Sequence, residues 1–412
     1  MAVFESADAS ALPDLLDAAA DWCELVVVNA GPQPWTTDER EGLAELAEVV
    51  DAAGADPDTV AARLAGLGVD GVVTVEDEWI PLVAAVAARL GLPYHDEETA
   101  EAVTRKDVQR ARLAGTGLAV RAAPFTDEAG LVAAIAAVGF PAVLKPVRGN
   151  GSFNIFPVDD EPALRAALAG ARTSAGPGTG AAPTWLLEER LIGVPHDEQD
   201  WLGDHFSVEM ASLGEGEHWP FWLSDRFPLL PPLRDSGMTG PSLLSWETQQ
   251  LAIERAGRIL TTLGVTSGLT HMEFKLTATG PRLIEVNGRL GGFLSSIVPR
   301  VSDLNPVRLA LEVAAGKAAR RPVVTSGYAA CIFTQFPPAA RRLTALADPA
   351  ELLRVPGVWR VDPRAAVGDA LDYRAGLHGR LQNVWIEGST PAAFRDTWVA
   401  ASAAIAAGNR FE

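Results

Sequence analysis

Along the chain, short runs of β-branched and aliphatic residues alternate with longer segments whose apolar positions recur at helical spacing. Residues 24–29 (ELVVVN) form a strand-like run that ends in Ala30 and Gly31, and residues 41–53 read as a helix. Residues 71–75 (GVVTV) predict a second buried strand, Ile80–Leu90 a helix, and Gly91-Leu92-Pro93 its stop. Strands that alternate with helices in this way predict a small open α/β domain at the N-terminus. The Asn29-Ala30-Gly31 turn is a weak phosphate signal by itself and reads more readily as a plain strand-to-helix connection with no ligand.

Beyond residue 98 the pattern changes. Residues 99–113 are helical in spacing and carry Thr104, Arg105, Lys106 and Asp107, with Arg110 and Arg112 following. On charge pattern this is a solvated helix face. Residues 121–125 are extended, Glu128–Val138 is a helix, and residues 140–147 (FPAVLKPV) form an apolar strand interrupted by Lys145. A cation inside such a strand requires an anionic partner, because an unpaired buried charge is costly. The next stretch, RGNGSFNI at 148–155, has the composition of a loop whose backbone amides can wrap phosphates. Residues 162–169 predict a short helix closed by Gly170, and 174–183 (SAGPGTGAAP) a low-complexity surface loop.

Residues 185–191 (WLLEERL) make a strand that turns polar at Glu188 and Glu189, and residues 204–213 (DHFSVEMASL) another, with Glu209 among apolar neighbours. Two extended pieces (219–223 and 224–227), a Pro-rich loop (228–241) and a helix over Trp246–Leu263 follow. After a helix at 306–316, the region from Tyr328 holds YAACIF, VWRV and LQNVWIEG strands and a closing helix at 391–407. It reads as an α+β appendage with no cluster that suggests chemistry.

The chemistry concentrates in residues 270–293, THMEFKLTATGPRLIEVNGRLGGF. His271, Glu273 and Lys275 alternate with Met272, Phe274 and Leu276, the period of a half-buried strand with one polar face. Thr279, Gly280 and Pro281 supply a turn, and Arg282 to Asn287 complete a hairpin. Glu273 and Glu285 can then face each other, with Asn287 beside Glu285. Two carboxylates and an amide form an all-oxygen donor set suited to Mg²⁺ or Mn²⁺ rather than Zn²⁺. Arg289 is placed to meet a transferring phosphoryl group. An ordinary exposed hairpin explains any one of these residues; it explains the spaced set far less well.

Composition narrows the partners. The 412 residues exceed one typical core, so two or three domains are expected. A charge of −19 opposes general binding to nucleic acid or an anionic membrane, but not a nucleotide held by a few focused cations. Two cysteines, Cys23 and Cys331, imply no disulfide framework and fit a reducing cytoplasm. The opening MAVFESADAS is acidic where a signal peptide would be basic, and no apolar run approaches a membrane span, so the expectation is a cytoplasmic protein.

Taken in order, Lys106, Lys145 with its Gly-rich loop, WLLEERL, HMEFKL and LIEVNGRLGG resemble the ATP-grasp carboxylate-amine ligases, and most of all the bacterial L-amino acid (dipeptide) ligases. The resemblance covers nearly the whole chain. It implies a multidomain α/β and α+β protein: a Rossmann-like preATP-grasp domain over 1–103, an ATP-grasp domain over 104–325 with a mobile lid near 119–186, and a biotin-carboxylase-like α+β domain over 326–412. Lys106 and Lys145 would hold the α- and β-phosphates of ATP, with the loop at Gly151 and Ser152 closing over the β- and γ-phosphates. Glu188 and the backbone of Glu189 and Leu191 would read adenine. Glu273, Glu285 and Asn287 would bind Mg²⁺, as two ions, and Arg289 would steady an acyl phosphate. The ribose carboxylate is not assigned, because residues 194–203 look like an insertion.

After Arg289 the chain reads Leu290-Gly291-Gly292-Phe293, without the Gln-Val-Glu-His run of biotin carboxylases, which disfavours biotin as substrate. Phe293 either walls a substrate pocket or is core. Asp225 and Arg226 either clamp a zwitterion or form a surface ion pair. His271 either orients a substrate or satisfies a strand hydrogen bond. The leading expectation is an amide-forming ligase that takes a small-molecule carboxylate and amine and yields ADP and phosphate; a homodimer is compatible with it. An enzyme that ligates a non-amino-acid substrate or closes a ring within one is the alternative, and a non-catalytic ATP-binding regulator a third reading.

Overall fold

The computed structural model describes residues 1–4, 12–29, 31, 33–173, 184–214 and 216–412. Ala30 of the first turn and the expected surface loop at 174–183 lie outside them. The chain opens with β1 (Ala2–Phe4), α1 (Leu12–Ala19), β2 (Val26–Asn29), α2 (Thr37–Ala44), β3 (Glu48–Asp51), α3 (Pro57–Ala65), β4 (Val72–Thr74) and α4 (Ile80–Leu90). The four strands are parallel, in the order β3-β2-β1-β4. The helix expected over 41–53 is instead the short α2 followed by β3, because the 48–51 backbone pairs with β2, Val50 beside Val28. Among the described residues α2 buries none of its own, so its hold on the chain is local: a capping box between Thr36 and Glu39.

Next come α5 (Glu97–Ala102) and α6 (Lys106–Leu113), separated by an extended Arg105 where one helix was expected. The break turns α6 against the large sheet. Lys106, Gln109 and Arg110 are buried, contrary to the solvated face read from the charge pattern. The physical reason is the sheet edge. Strand β13 (Arg282–Asn287, below) ends the sheet, so its outer backbone groups need partners. Gln109 supplies two, donating to Val286 O at 2.7 Å and accepting from Val286 N at 3.0 Å. Arg110 donates to Ile284 O.

A small antiparallel sheet follows, made of β5 (Ala122–Phe125), β6 (Ala142–Pro146), β7 (Phe156–Val158) and β8 (Trp185–Glu189) in the order β5-β8-β6-β7. Helices α7 (Glu128–Val138) and α8 (Glu161–Thr173) cover one face through Leu131, Val138, Leu164 and Leu168. Helix α8 continues past Gly170, where a stop was expected.

The large sheet has eight strands. The chain that supplies them runs β9 (His205–Leu213), β10 (His218–Arg226), β11 (Gly237–Gly240), α9 (Trp246–Leu263), β12 (Ser267–Lys275), β13, α10 (Leu294–Val301), α11 (Pro306–Ala314), β14 (Tyr328–Thr334), β15 (Leu343–Ala345), α12 (Pro349–Leu352), β16 (Val358–Pro363), β17 (Gln382–Gly388), α13 (Pro391–Gly408) and β18 (Arg410–Phe411). The sheet order is β13-β12-β9-β10-β11-β14-β17-β16, with β15 and β18 paired separately.

Two expectations change here. The extended pieces at 219–227 are one strand, β10. The Pro-rich loop contains β11, which joins β10 to β14, so the region from Tyr328 continues the sheet rather than hanging from it. Glycines hid this strand in the sequence, yet they permit it: a Cβ on Gly237 would lie 2.5 Å from Cys331 O.

Helix α9 starts at the Ser245 cap and ends at left-handed Gly264. Its Ala252, Ala256, Ile259 and Leu260 pack on Met272, Phe274, Leu283 and Val286 of the sheet. Because side chains alternate, and because Ile284 bulges out of the β12–β13 register so that Glu285 lies opposite Glu273, this packing turns His271, Glu273, Glu285 and Asn287 to the other face. Among the described residues, no helix is long and apolar enough to cross a membrane.

Candidate active site

A cleft enclosing about 1010 Å³, its open mouth included, runs between the small sheet and the polar face of the large one. The large sheet contributes Glu273, Lys275 and Glu285, and α6 contributes Lys106; Lys145 and Glu188 come from the small sheet, and Gly151 and Ser152 from the loop after β6. Glu189 and Leu191 line it as well. All nine residues that the resemblance assigns to ATP therefore face one cavity.

Glu273 and Glu285 are cross-strand neighbours, as are His271 and Asn287. Their charges are met by side chains. Lys106 Nζ lies 3.2 Å from Glu285 Oε2 and donates to Gly149 O at 2.7 Å, which ties the hairpin to the Gly-rich loop. Glu273 Oε1 sits 3.2 Å from His271 Nε2 and 3.5 Å from Arg226 Nη2. Burial by itself would raise the Glu273 pKa, but the His271 hydrogen bond and the Arg226 charge outweigh it and keep the carboxylate ionised. Asn287 Nδ2 approaches Glu285 Oε1 at 3.4 Å. Two carboxylates and an amide oxygen are hard donors that match Mg²⁺ in kind.

Lys145, in β6, meets its required anion. Its Nζ is 2.9 Å from Glu188 Oε1, and Arg110 Nε donates to Glu188 Oε2 at 2.7 Å. All three residues are buried. Burial would raise the Glu188 pKa, yet the two cations hold it down; burial likewise lowers that of Lys145, with Glu188 opposing. Glu188 is thus committed to cations. The Glu189 N–H is used as well, bonded to Arg121 O at 2.9 Å, whereas Leu191 N–H meets no partner among the described residues.

The remaining candidates separate. Arg289 Nη2 reaches Asp77 Oδ2 at 2.9 Å, so the carboxyl end of β4 adjoins the site. Arg226 faces the site, but Asp225 points away: it is fully buried and accepts from Ser242 Oγ and Leu243 N, both at 2.6 Å. The two are neither a joint clamp nor an ion pair, since adjacent strand residues face opposite sides. Phe293 packs on Phe333, with ring centroids 4.5 Å apart, and on Trp385.

His271 bonds side chains rather than the strand backbone. Its Nδ1 lies 2.6 Å from Glu209 Oε1 across the β12–β9 pair. Burial lowers its pKa, but Glu209 and Glu273 more than offset this and hold it at about 9. A Cβ on Gly291 would come within 2.6 Å of His271 Nδ1 and 3.1 Å of Glu209 Oε2. Gly291→Ala is therefore expected to lower unfolding stability by about 1–3 kcal/mol, while Gly292→Ala, with nothing in that space, serves as the denaturant-melt control.

Sequence reasoning missed Arg110, Asp77, His205 and Asp235. His205 Nε2 lies 3.1 Å from Asp235 Oδ1, and both line the cleft. Only Glu209 had left a signal, as a lone carboxylate in an apolar strand.

The comparisons bear on this arrangement. The family model for the ATP-grasp N-terminal domain matches residues 19–94. The L-amino acid ligase from Bacillus licheniformis superposes with a TM-score of 0.73 at 19% identity, covering 97% of this chain and 96% of that one. The chain carries the ATP-grasp fold. A second ATP-grasp likeness is to the biotin carboxylase domain of Hydrogenobacter thermophilus 2-oxoglutarate carboxylase in complex with MgADP: TM-score 0.67, 14% identity, 100% of this chain and 90% of that one. In sequence, human carnosine synthase 1 is 29% identical over 248 residues, which span 56% of this chain and 29% of the relative. The match thus covers less than half the length of that curated relative.

His95, where the N-terminal ATP-grasp region meets Asn287-Gly288, is buried with Nε2 3.4 Å from Gly288 O. Burial pushes its pKa down to about 4, only partly opposed by that carbonyl. The unfolded chain, with a pKa near 6.5, takes the proton first, so this contribution to stability is full above pH 6.5 and is lost as pH falls toward 4. Between pH 7 and 5 the native protein is expected to lose about 2 kcal/mol more than His95→Phe in urea unfolding.

Proposed function

We propose that this protein is an ATP-dependent carboxylate-amine ligase that joins an amino acid to another amino acid or small amine through an acyl phosphate. The observation that carries the reading is the meeting of Lys106, Lys145, the Gly-rich loop, Glu273 and Glu285 in one cleft. Mere nucleotide binding needs no paired carboxylates with an arginine beside them. The names of two similar proteins, an L-amino acid ligase and a carnosine synthase, agree with amino acids as substrates.

In this scheme Lys106 and Lys145 bind the α- and β-phosphates, and the amides near Gly151 and Ser152 cover the β- and γ-phosphates. Leu191 N–H is free to meet the adenine edge. Glu188 acts one step back, fixing Lys145 in place. Glu273, Glu285 and Asn287 would hold Mg²⁺, which neutralises charge on the phosphates. MgADP in the carboxylase complex supports that cofactor. The small sheet with its Gly-rich loop would serve as the lid.

The substrate carboxylate attacks the γ-phosphorus in line and ADP leaves. Arg289 holds the acyl phosphate oxygens while the amine nitrogen attacks the acyl carbon. The C–O bond to phosphate then breaks, and the nitrogen loses a proton to solvent. Positioning and charge supply the acceleration, so no protein nucleophile is required. Incubating the protein with ATP, Mg²⁺ and paired amino acids should yield ADP and phosphate in step with an amide. AMP and pyrophosphate, or ADP formation that no carboxylate-amine pair stimulates, would refute the scheme.

A further inference from the structure

The loop after β6 is held from outside its own sheet. Leu377 N donates to Gly151 O at 2.7 Å, and Asn154 N donates to Arg374 O at 3.2 Å. Both partners belong to the tight helical segment Tyr373–Gly379, which precedes β17. Arg374 Nη1 also donates to Gly170 O in α8, at 3.0 Å, so this segment grips the small sheet's unit at two places. Gly376 makes the approach possible. Its φ is +58°, and a Cβ there would overlap Gly151 O and lie 2.7 Å from Ser152 O.

Side chains extend the contact toward Arg289. His378 Nε2 lies 3.1 Å from Asn150 Oδ1. Asn150 Nδ2 donates to Asp77 Oδ2 at 3.3 Å, and the same oxygen accepts from Arg289 Nη2 at 2.9 Å. The donors run one way without conflict: imidazole N–H to amide oxygen, amide N–H to carboxylate, guanidinium to the same carboxylate. Asn150 is thus the point where the C-terminal segment, the Gly-rich loop and the end of β4 meet. Asp77 Oδ2 has two donors, one of them supplied by the loop.

We infer that Asn150 and His378 are positioning residues: seating the Gly-rich loop against the Tyr373–Gly379 segment orients Asp77, and Asp77 in turn sets the Arg289 guanidinium. This rests on the ligase reading for Arg289's role. It links nucleotide enclosure to the arginine that meets the acyl phosphate, so the acyl phosphate is held best when the loop is down. Losing a hydrogen bond to a charged group shifts an equilibrium by about tenfold to a hundredfold, and the 3.3 Å Asn150–Asp77 bond belongs at the lower end.

The test uses the full chain. Asn150→Ala should lower kcat about tenfold while KM for ATP changes less than about threefold. His378→Ala should act in the same direction, and His378→Gln, which keeps an N–H at that reach, should recover most of the loss. In an Asp77→Ala background, Asn150→Ala should add nothing further. A rise in KM for ATP with unchanged kcat would show the loop to be a nucleotide clamp alone and overturn the relay, as would Asn150 and Asp77 effects that multiply independently.

Should the native protein form no ADP with any carboxylate-amine pair, the ligase reading fails by itself, and the relay is judged by hydrogen exchange. With Mg²⁺ and a non-hydrolysable ATP analogue, amides at residues 74–79 should exchange more slowly in the native chain and not in Asn150→Ala. Equal slowing in both would overturn it.

Discussion

Glu285→Gln is expected to lower ATP-dependent ADP formation by about 10³-fold, with little change in the melting transition. The substitution keeps the side-chain shape and removes one negative charge from a site where Glu273 stands across the strand pair and Lys106 Nζ lies at 3.2 Å. Lys106 retains Gly149 O at 2.7 Å, so the loop stays tied. The fault should fall on Mg²⁺: the concentration needed for half-maximal activity should rise, and Mn²⁺, with its higher affinity for such donors, should restore part of the rate. ADP production measured against each metal checks this. A variant with more than a tenth of native activity and an unchanged Mg²⁺ requirement would remove Glu285 from the metal site.

Glu188→Leu is expected to cost about 3–5 kcal/mol of stability, because it strands Lys145 and Arg110 in the protein interior without their anion. Denaturant unfolding measures it. The triple change Arg110→Met, Glu188→Leu and Lys145→Met removes all three charges and should regain much of the loss, since a buried ion cluster is often replaceable by apolar packing. Nucleotide binding should not return with it, as Lys145 is gone. Stability that recovers together with ATP binding would show that this cluster holds the fold only and never touches a phosphate.

Much of the site was legible because local periodicity carries it. Alternation in HMEFKL puts His271 and Glu273 on one face, and alternation in EVN does the same for Glu285 and Asn287; the bulge at Ile284, which no local pattern announces, brings Glu285 rather than Ile284 opposite Glu273. Lys145 declared itself as a cation that needed a partner. Lys106 had no such mark: its neighbours Arg105, Asp107 and Arg112 read as a solvated face, and only the exposed backbone of β13 explains why α6 turns its polar residues inward.

What the sequence determined by itself was the two-fold period of the hairpin, the helix at Ile80–Leu90 and that at Trp246–Leu263 with its Ser and Gly ends, since these follow from bonds and burial within a few residues. Tertiary structure alone decided the rest: that β11, glycine-rich and loop-like, would bridge β10 to β14, that Glu188 would lie between two cations, and that Asp77 would reach Arg289. Those pairings join residues tens to hundreds of positions apart, where no local pattern distinguishes a carboxylate bound for water from one bound for a buried guanidinium.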